Sequence, residues 1–245
     1  VGSEMCIRDR LRDMHHDLDE IASLVSPATR LIFIDNPNNP TGTLLTWDRL
    51  NAFLTKLPEH LIVVLDEAYV DFVDSDQRYD TLSLLGEQEG CCGVVLLRTF
   101  SKAYGLAGLR IGYGIMAAPV AACLHKVRQP FNINLIAQQG ALAALGDHDF
   151  YELTLSKTAA GKRYLTEGVR QLGCTPFPSQ TNFFLIDVHT DATALYEAML
   201  RKGVIIRSMK AYGCESFIRV NVGTEVENDR FLAALGEALK ECGHG

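Results

Sequence analysis

Arg98-Thr99-Phe100-Ser101-Lys102-Ala103-Tyr104-Gly105-Leu106-Ala107-Gly108-Leu109-Arg110-Ile111-Gly112 follows directly on a short apolar run, Val94 to Leu97. This order predicts a lysine just past the end of a buried strand, with hydroxyls before it and an arginine beyond. Desolvation and neighbouring cations lower the pKa of a lysine, and the neutral amine can form a Schiff base with an aldehyde. Thr99, Ser101 and Arg110 offer two hydroxyls and a planar guanidinium, a donor set suited to a dianion. Most lysines are solvated surface charges. Lys102 stands apart because two further polar motifs precede it at the ends of similar apolar runs.

The first of these runs, Leu31 to Ile34, ends in Asp35-Asn36-Pro37-Asn38-Asn39-Pro40-Thr41-Gly42. Its two prolines and terminal glycine predict a loop at a strand terminus. Thr46 then caps a predicted helix over 47–57, with Leu50, Phe53, Leu54 and Leu57 on one face. Leu61 to Leu65 predicts a second buried strand, ending in Asp66-Glu67-Ala68-Tyr69, and Ile111 to Met116 a further strand after the lysine loop. Strands that alternate with helices and are buried on both faces predict an α/β fold with a parallel sheet. Ligands of such sheets bind outside the carboxyl ends of the strands. All three polar motifs fall there.

Helical patterns follow over 119–128, 135–145 and 150–172, the last closing at Gly173. Beyond Pro176 and Pro178 the style changes to a strand over 183–188, a helix over 192–202, strands over 204–207 and 217–222, and a helix over 228–240. The expected organisation is a partial large domain with a mostly parallel sheet over 11–145 and a smaller α+β domain over 146–245. Residues 1–10 begin with Val1 and carry no helical or strand periodicity, so they are expected to be non-native flanking sequence or disordered.

With 245 residues, 47% of them hydrophobic and 22% charged, the chain has the makings of an ordinary globular protein with a substantial core. A net charge of −7 without a Lys/Arg cluster argues against a nucleic-acid partner. The apolar runs are far too short to span a bilayer, and no secretory signal is expected. Seven cysteines without a CxxC pair predict free thiols in a reducing cytoplasm. The histidines show no metal-ligand spacing, and no metal is expected. His15 and His16, beside acidic residues, are read as a solvated segment. Neither a G-x-G-x-x-G nor a Walker spacing occurs, and Gly105, Gly108 and Gly112 are expected to let backbone approach closely.

Taken in order, NPNNPTG, DEAYVDF and TFSKAYGLAGLRIGYG resemble the pyridoxal-phosphate-dependent aminotransferases of the aspartate aminotransferase fold type. Within that group, DEAYVDF, RTFSKAYGLAGLRIGY, PFNINLIAQQGALAAL, GVIIR and IRVNVGT are most similar to the histidinol-phosphate aminotransferases. The resemblance covers residue 11 to the end. It implies fold type I and pyridoxal 5'-phosphate as cofactor, with Lys102 as the Schiff-base lysine and Asp66 facing the pyridine nitrogen. Asn39 and Tyr69 would bond the phenolic oxygen, and Thr99, Ser101 and Arg110 the cofactor phosphate.

The same resemblance implies that Arg219 and Arg207 hold the anionic groups of the substrate, with Asn182 lining that pocket. It implies amino transfer between glutamate and imidazole-acetol phosphate, giving 2-oxoglutarate and histidinol phosphate, in a cytoplasmic homodimer. Family members normally carry about a hundred further residues upstream, so the chain is expected to lack its beginning and to have little activity as it stands. An aromatic-amino-acid aminotransferase, a threonine-phosphate decarboxylase, and an inactive fragment serving only as a binding or association module are the alternatives.

Overall fold

A computed structural model describes residues 11–85 and 92–243. The expectation for residues 1–10 lies outside the described residues, as do Cys6 and Cys91. The chain divides into two compact units, one comprising residues up to Asn39 and Thr43–His148, the other Pro40–Gly42 and Asp149 onward.

The first unit contains β1 (Leu11–Arg12), β2 (His15–His16), α1 (Leu18–Ser23), β3 (Leu31–Asp35), α2 (Trp47–Leu54), β4 (Ile62–Asp66), β5 (Gly93–Thr99), β6 (Gly112–Met116), α3 (Ala118–Val127) and α4 (Leu135–Gly146). Its main sheet has the order β3-β4-β5-β6. The first three strands are parallel. β6 runs antiparallel to β5, so the sheet is mostly parallel, as expected. The physical reason is the connection: Thr99 to Gly112 is built of turns and one short 3-10 helix, Ala107–Leu109, without the crossover helix that a parallel return needs.

The two central strands are buried on both faces, with Val63, Val64 and Leu65 on β4 and Val95 and Leu96 on β5 all buried. β3 is an edge strand and alternates instead. Ile32 and Ile34 enter the core, while Leu31 and Phe33 remain 51% and 65% exposed. α1 and α2 cover the inner face, where Ile21, Leu50, Phe53 and Leu54 join the strand residues in one cluster. Thr46 caps α2 as expected, accepting from the Arg49 N–H. The helix stops at Leu54, three residues early, because the Thr55 hydroxyl turns back to the Asn51 and Ala52 carbonyls. Asn134 caps α4 by accepting from the Ala137 N–H at 2.8 Å. α4 is apolar all round yet buries only Ala137 and Ala141, leaving Leu135, Ile136 and Leu142 exposed.

The second unit contains α5 (His148–Gln171), β7 (Thr175–Pro176), β8 (Phe183–Asp187), α6 (Ala192–Arg201), β9 (Arg207–Ser208), β10 (Phe217–Asn221) and α7 (Glu225–Glu241). Its sheet, β7-β8-β10-β9, is antiparallel throughout. Phe184, Ile186, Ile218 and Val220 point to one face and pack with Leu165, Leu195, Met199 and Leu235. α7 begins at Glu225, ahead of the expected Asn228, because Thr224 and Glu227 form a reciprocal capping box. Of the expected 204–207 strand only Arg207 pairs with β10, and the pairing runs on to Ser208. Among the described residues, no helix is long and apolar enough to cross a membrane.

Leu96 is fully buried at the centre of the parallel sheet. Leu96→Ala should lose about 2–5 kcal/mol of unfolding free energy in a urea titration. Val226→Ala, at a site 78% exposed, should stay within about 0.5 kcal/mol of the parent.

Candidate functional site

Strand register places Asp35, Asp66 and Leu97 side by side at the carboxyl ends of β3, β4 and β5. Asp66 Oδ1 accepts from the Ala68 N–H at 3.0 Å, which turns the chain sharply after β4. Burial raises the carboxyl's pKa. The Ala68 N–H opposes that rise, the neighbouring Asp35 charge adds to it, and the Lys102 ammonium opposes it. Tyr69 is buried three residues on, and Lys102 Nζ lies 5.3 Å from the centre of its ring. Asp66, Tyr69 and Lys102 are thus brought together from two adjacent strand ends.

The lysine turn is fastened at both flanks. Phe100 and Ala103 are buried, Phe100 packs on the rings of Tyr104 and Tyr113, and the Leu106 N–H bonds the Phe100 carbonyl at 2.9 Å. Thr99 closes β5, and its hydroxyl oxygen accepts from the Ser101 N–H at 3.1 Å. Gly105 has φ +69°, and a Cβ at Gly112 would lie 2.6 Å from the Arg98 carbonyl oxygen, so both positions require glycine. Gly108 has nothing within 4 Å of such a Cβ, and the close approach expected there does not occur. Arg110 takes left-handed backbone angles and donates to the Ala107 carbonyl at 3.0 Å, with its side chain exposed.

Asn39 is exposed, and its backbone N–H donates to Asp35 Oδ2 at 2.7 Å. Asp35 is a hub that sequence reasoning missed. Its Oδ1 accepts from Asn38 Nδ2 at 2.8 Å and from His16 Nε2 at 2.9 Å. Burial alone would raise the Asp35 carboxyl's pKa, but the hydrogen bonds from His16, Asn39 and Asn38 and the His16 charge hold it below its ordinary value. His16 is therefore 8% exposed and paired, which corrects its reading as part of a solvated segment. No local signal foretold this, because the partner is nineteen residues away.

Two further partnerships brace the strand ends. The Asn36 side chain donates to the Tyr79 hydroxyl and accepts from the Leu45 N–H. Burial, with help from the Glu67 charge, pushes the Tyr79 phenol up to about 12 against the Asn36 hydrogen bond. Glu67, 2% exposed, accepts from Arg98 Nε at 2.8 Å and from the Thr81 hydroxyl at 2.6 Å. This buried pair clamps the residue after Asp66 to the residue before Thr99.

In the second unit, Arg207 and Arg219 are register partners on β9 and β10, so their side chains share a face of the sheet. Both line an open cavity of about 900 Å³ together with Asn221 and Glu227. Arg219 stacks on Phe183, its guanidinium carbon 4.8 Å from the ring centre, and Arg207 lies 5.9 Å from that of Tyr212. Like charges directly opposite on neighbouring strands repel; an anion between them reverses that cost. Asn182 sits just before β8, and its buried Oδ1 accepts no hydrogen bond among the described residues. It is not among the residues lining that cavity.

The family model for aminotransferase class I and II matches residues 4–235. The chain belongs to that family. It is 62% identical over 234 residues to the histidinol-phosphate aminotransferase of Desulfotalea psychrophila, covering 96% of this chain and 62% of that protein. To histidinol-phosphate aminotransferase 2 of Pseudomonas aeruginosa it is 43% identical, covering 94% of this chain and 62% of that protein. It thus spans under two thirds of the length of these curated relatives. Among solved structures, this aminotransferase chain is similar to histidinol-phosphate aminotransferase from Sinorhizobium meliloti in complex with pyridoxal-5'-phosphate (TM-score 0.82, 32% identity, 92% of this chain and 62% of that one). It is also similar to L-threonine-O-3-phosphate decarboxylase from Porphyromonas gingivalis (TM-score 0.73, 27% identity, 86% and 65%). The fold is that of these enzymes.

Because the folded Asp35 carboxyl lies below its ordinary value, it contributes stability that is complete above about pH 4, the unfolded value, and is lost as pH falls through the folded one. Asp35→Asn should therefore be less stable than the parent at neutral pH and approach it as pH falls from about 4. Urea titrations at several pH values check this.

Proposed function

We propose that the protein is a pyridoxal-phosphate aminotransferase that passes an amino group between glutamate and imidazole-acetol phosphate, giving 2-oxoglutarate and histidinol phosphate. The observation that carries the reading is Lys102 held beside Asp66 and Tyr69 at two adjacent strand ends. The donor set fits the cofactor: an amine for its aldehyde, a carboxylate for its pyridinium, a phenol for its ring oxygen, and two hydroxyls and a guanidinium for its phosphate. When bound, the cofactor supplies an electron sink for the bond broken at the substrate carbon.

Lys102 Nζ would hold the cofactor's aldehyde and, as a free amine, would serve as the base that moves the proton at the substrate carbon. Asp66 would face the pyridine nitrogen and, as a carboxylate, would keep it protonated. Tyr69 and Asn39 donate to the ring oxygen, while Thr99, Ser101 and Arg110 take the phosphate. Arg207 and Arg219 take the anionic groups of the substrate. Two registered arginines suit a phosphate better than a single carboxylate does, and this favours a phosphorylated substrate. The role of Asn182 in that pocket rests on its buried, unsatisfied Oδ1 alone, since it does not line the cavity that holds the two arginines.

The homodimer reading draws support from the exposed apolar side chains of α4, which a second copy would cover. A reducing cytoplasm suits the free thiols of Cys123, Cys174, Cys214 and Cys242.

The test is an assay of the full-length protein with histidinol phosphate and 2-oxoglutarate, following glutamate. Turnover is expected, and Arg207→Ala should raise KM for histidinol phosphate by about tenfold to hundredfold, the worth of a charged hydrogen bond. Phenylalanine accepted in place of histidinol phosphate, or release of carbon dioxide from a phosphorylated amino acid without amino transfer, would replace this reading with one of its rivals.

A further inference from the structure

Asp35 is an unexpected residue in its place. It stands next to Asp66 across the β3–β4 register, so two carboxylates lie side by side at the end of a sheet. An asparagine there could also accept from the Asn39 N–H, without repelling Asp66. The carboxylate is nonetheless fully engaged: Asn39 N–H at 2.7 Å on one oxygen, Asn38 Nδ2 at 2.8 Å and His16 Nε2 at 2.9 Å on the other. His16 Nε2 also lies 3.1 Å from the Asp35 carbonyl oxygen. Asn38 Nδ2 lies 3.1 Å from the same nitrogen, but the two Asp35 oxygens that face it favour a proton there. The loop is tied a second time, through the Asn38 N–H to the Thr43 carbonyl and the Thr43 hydroxyl to the Met14 carbonyl, beside β2.

We infer that the His16–Asp35 pair is a positioning device that fixes Asn39 for the cofactor's ring oxygen and places a negative charge beside Asp66. This rests on the aminotransferase reading above. The charged and titratable groups around the pair are His16 from β2, Asp66 from β4 and, acting on Asp66 from beyond β5, Lys102. The pair works in two ways. The Asn39 loop is held by a charged acceptor, which is stronger and more directional than a neutral one. The Asp35 charge makes Asp66 a better holder of the pyridine proton, while Lys102 pulls the other way. Asp35 touches no reacting atom in this account; it acts through Asn39 and Asp66.

The experiment uses the full-length protein and its Asp35→Ala, Asp35→Asn and His16→Gln variants, titrated with pyridoxal phosphate. Three quantities are read: the dissociation constant, the pH midpoint of the bound cofactor's visible absorbance, and the melting temperature of the cofactor-free protein. Asp35→Ala should weaken binding by about tenfold to hundredfold. Losing a donor to the ring oxygen should move the absorbance midpoint up by about one unit. His16→Gln should move both in the same direction by less, which keeps the idea testable if Asp35→Ala does not fold. Variants that melt earlier but keep the parent's midpoint and dissociation constant would make the pair a structural brace only, and overturn the inference. A parent protein that develops no visible absorbance with pyridoxal phosphate would instead overturn the aminotransferase reading on which it rests.

Discussion

The register of three parallel strands is the constraint on which the rest depends. Asp35, Asp66 and Leu97 align across β3, β4 and β5, and each strand hands its chain to one polar motif at that line. Ile34, Leu65 and Leu96, all nearly inaccessible, hold the register by burying one face of each strand in a single core. A slip of one residue in any strand would turn its inward side chains outward and carry its motif away from the other two. The site is therefore a consequence of core packing. Its residues come from segments far apart in the chain.

Charge at that line is arranged against itself. Asp35 and Asp66 repel, Lys102 attracts Asp66, and His16 with two asparagine N–H groups satisfies Asp35. One residue along, the buried Glu67–Arg98 pair with Thr81 closes the same strands together. Removing Arg98 would leave the buried Glu67 carboxylate uncompensated in a place with little water. Such opposition is costly for folding and useful for chemistry, because it holds titratable groups away from their ordinary values. The second unit repeats the device with the opposite sign, in Arg207 opposite Arg219.

Much of this was legible in the sequence because it is local. Apolar runs ending in polar motifs announce strands with functional carboxyl ends, and Lys102, Asp66 and Tyr69 sit within a few residues of those ends. The partners of Asp35 and Glu67 were not legible, since His16 and Arg98 reach them across nineteen and thirty-one residues with no periodic signature. Which strand runs antiparallel was not legible for a related reason: residue types do not reveal that the lysine loop folds back without a helix. Gly108 looked like its neighbours Gly105 and Gly112, and only the packing distinguishes it. The start of α7 is set by Thr224 and Glu227, a capping signature that lies ahead of the stronger apolar pattern.

The central claim is that Lys102 is the residue that captures the aldehyde of pyridoxal phosphate. Borohydride reduction of the protein with pyridoxal phosphate, followed by peptide mass mapping, tests it most directly. The expected result is loss of the visible band and one phosphopyridoxyl label, carried by the peptide that contains Lys102. A label on another lysine, or a visible band that vanishes with Lys102 unmodified, would contradict it.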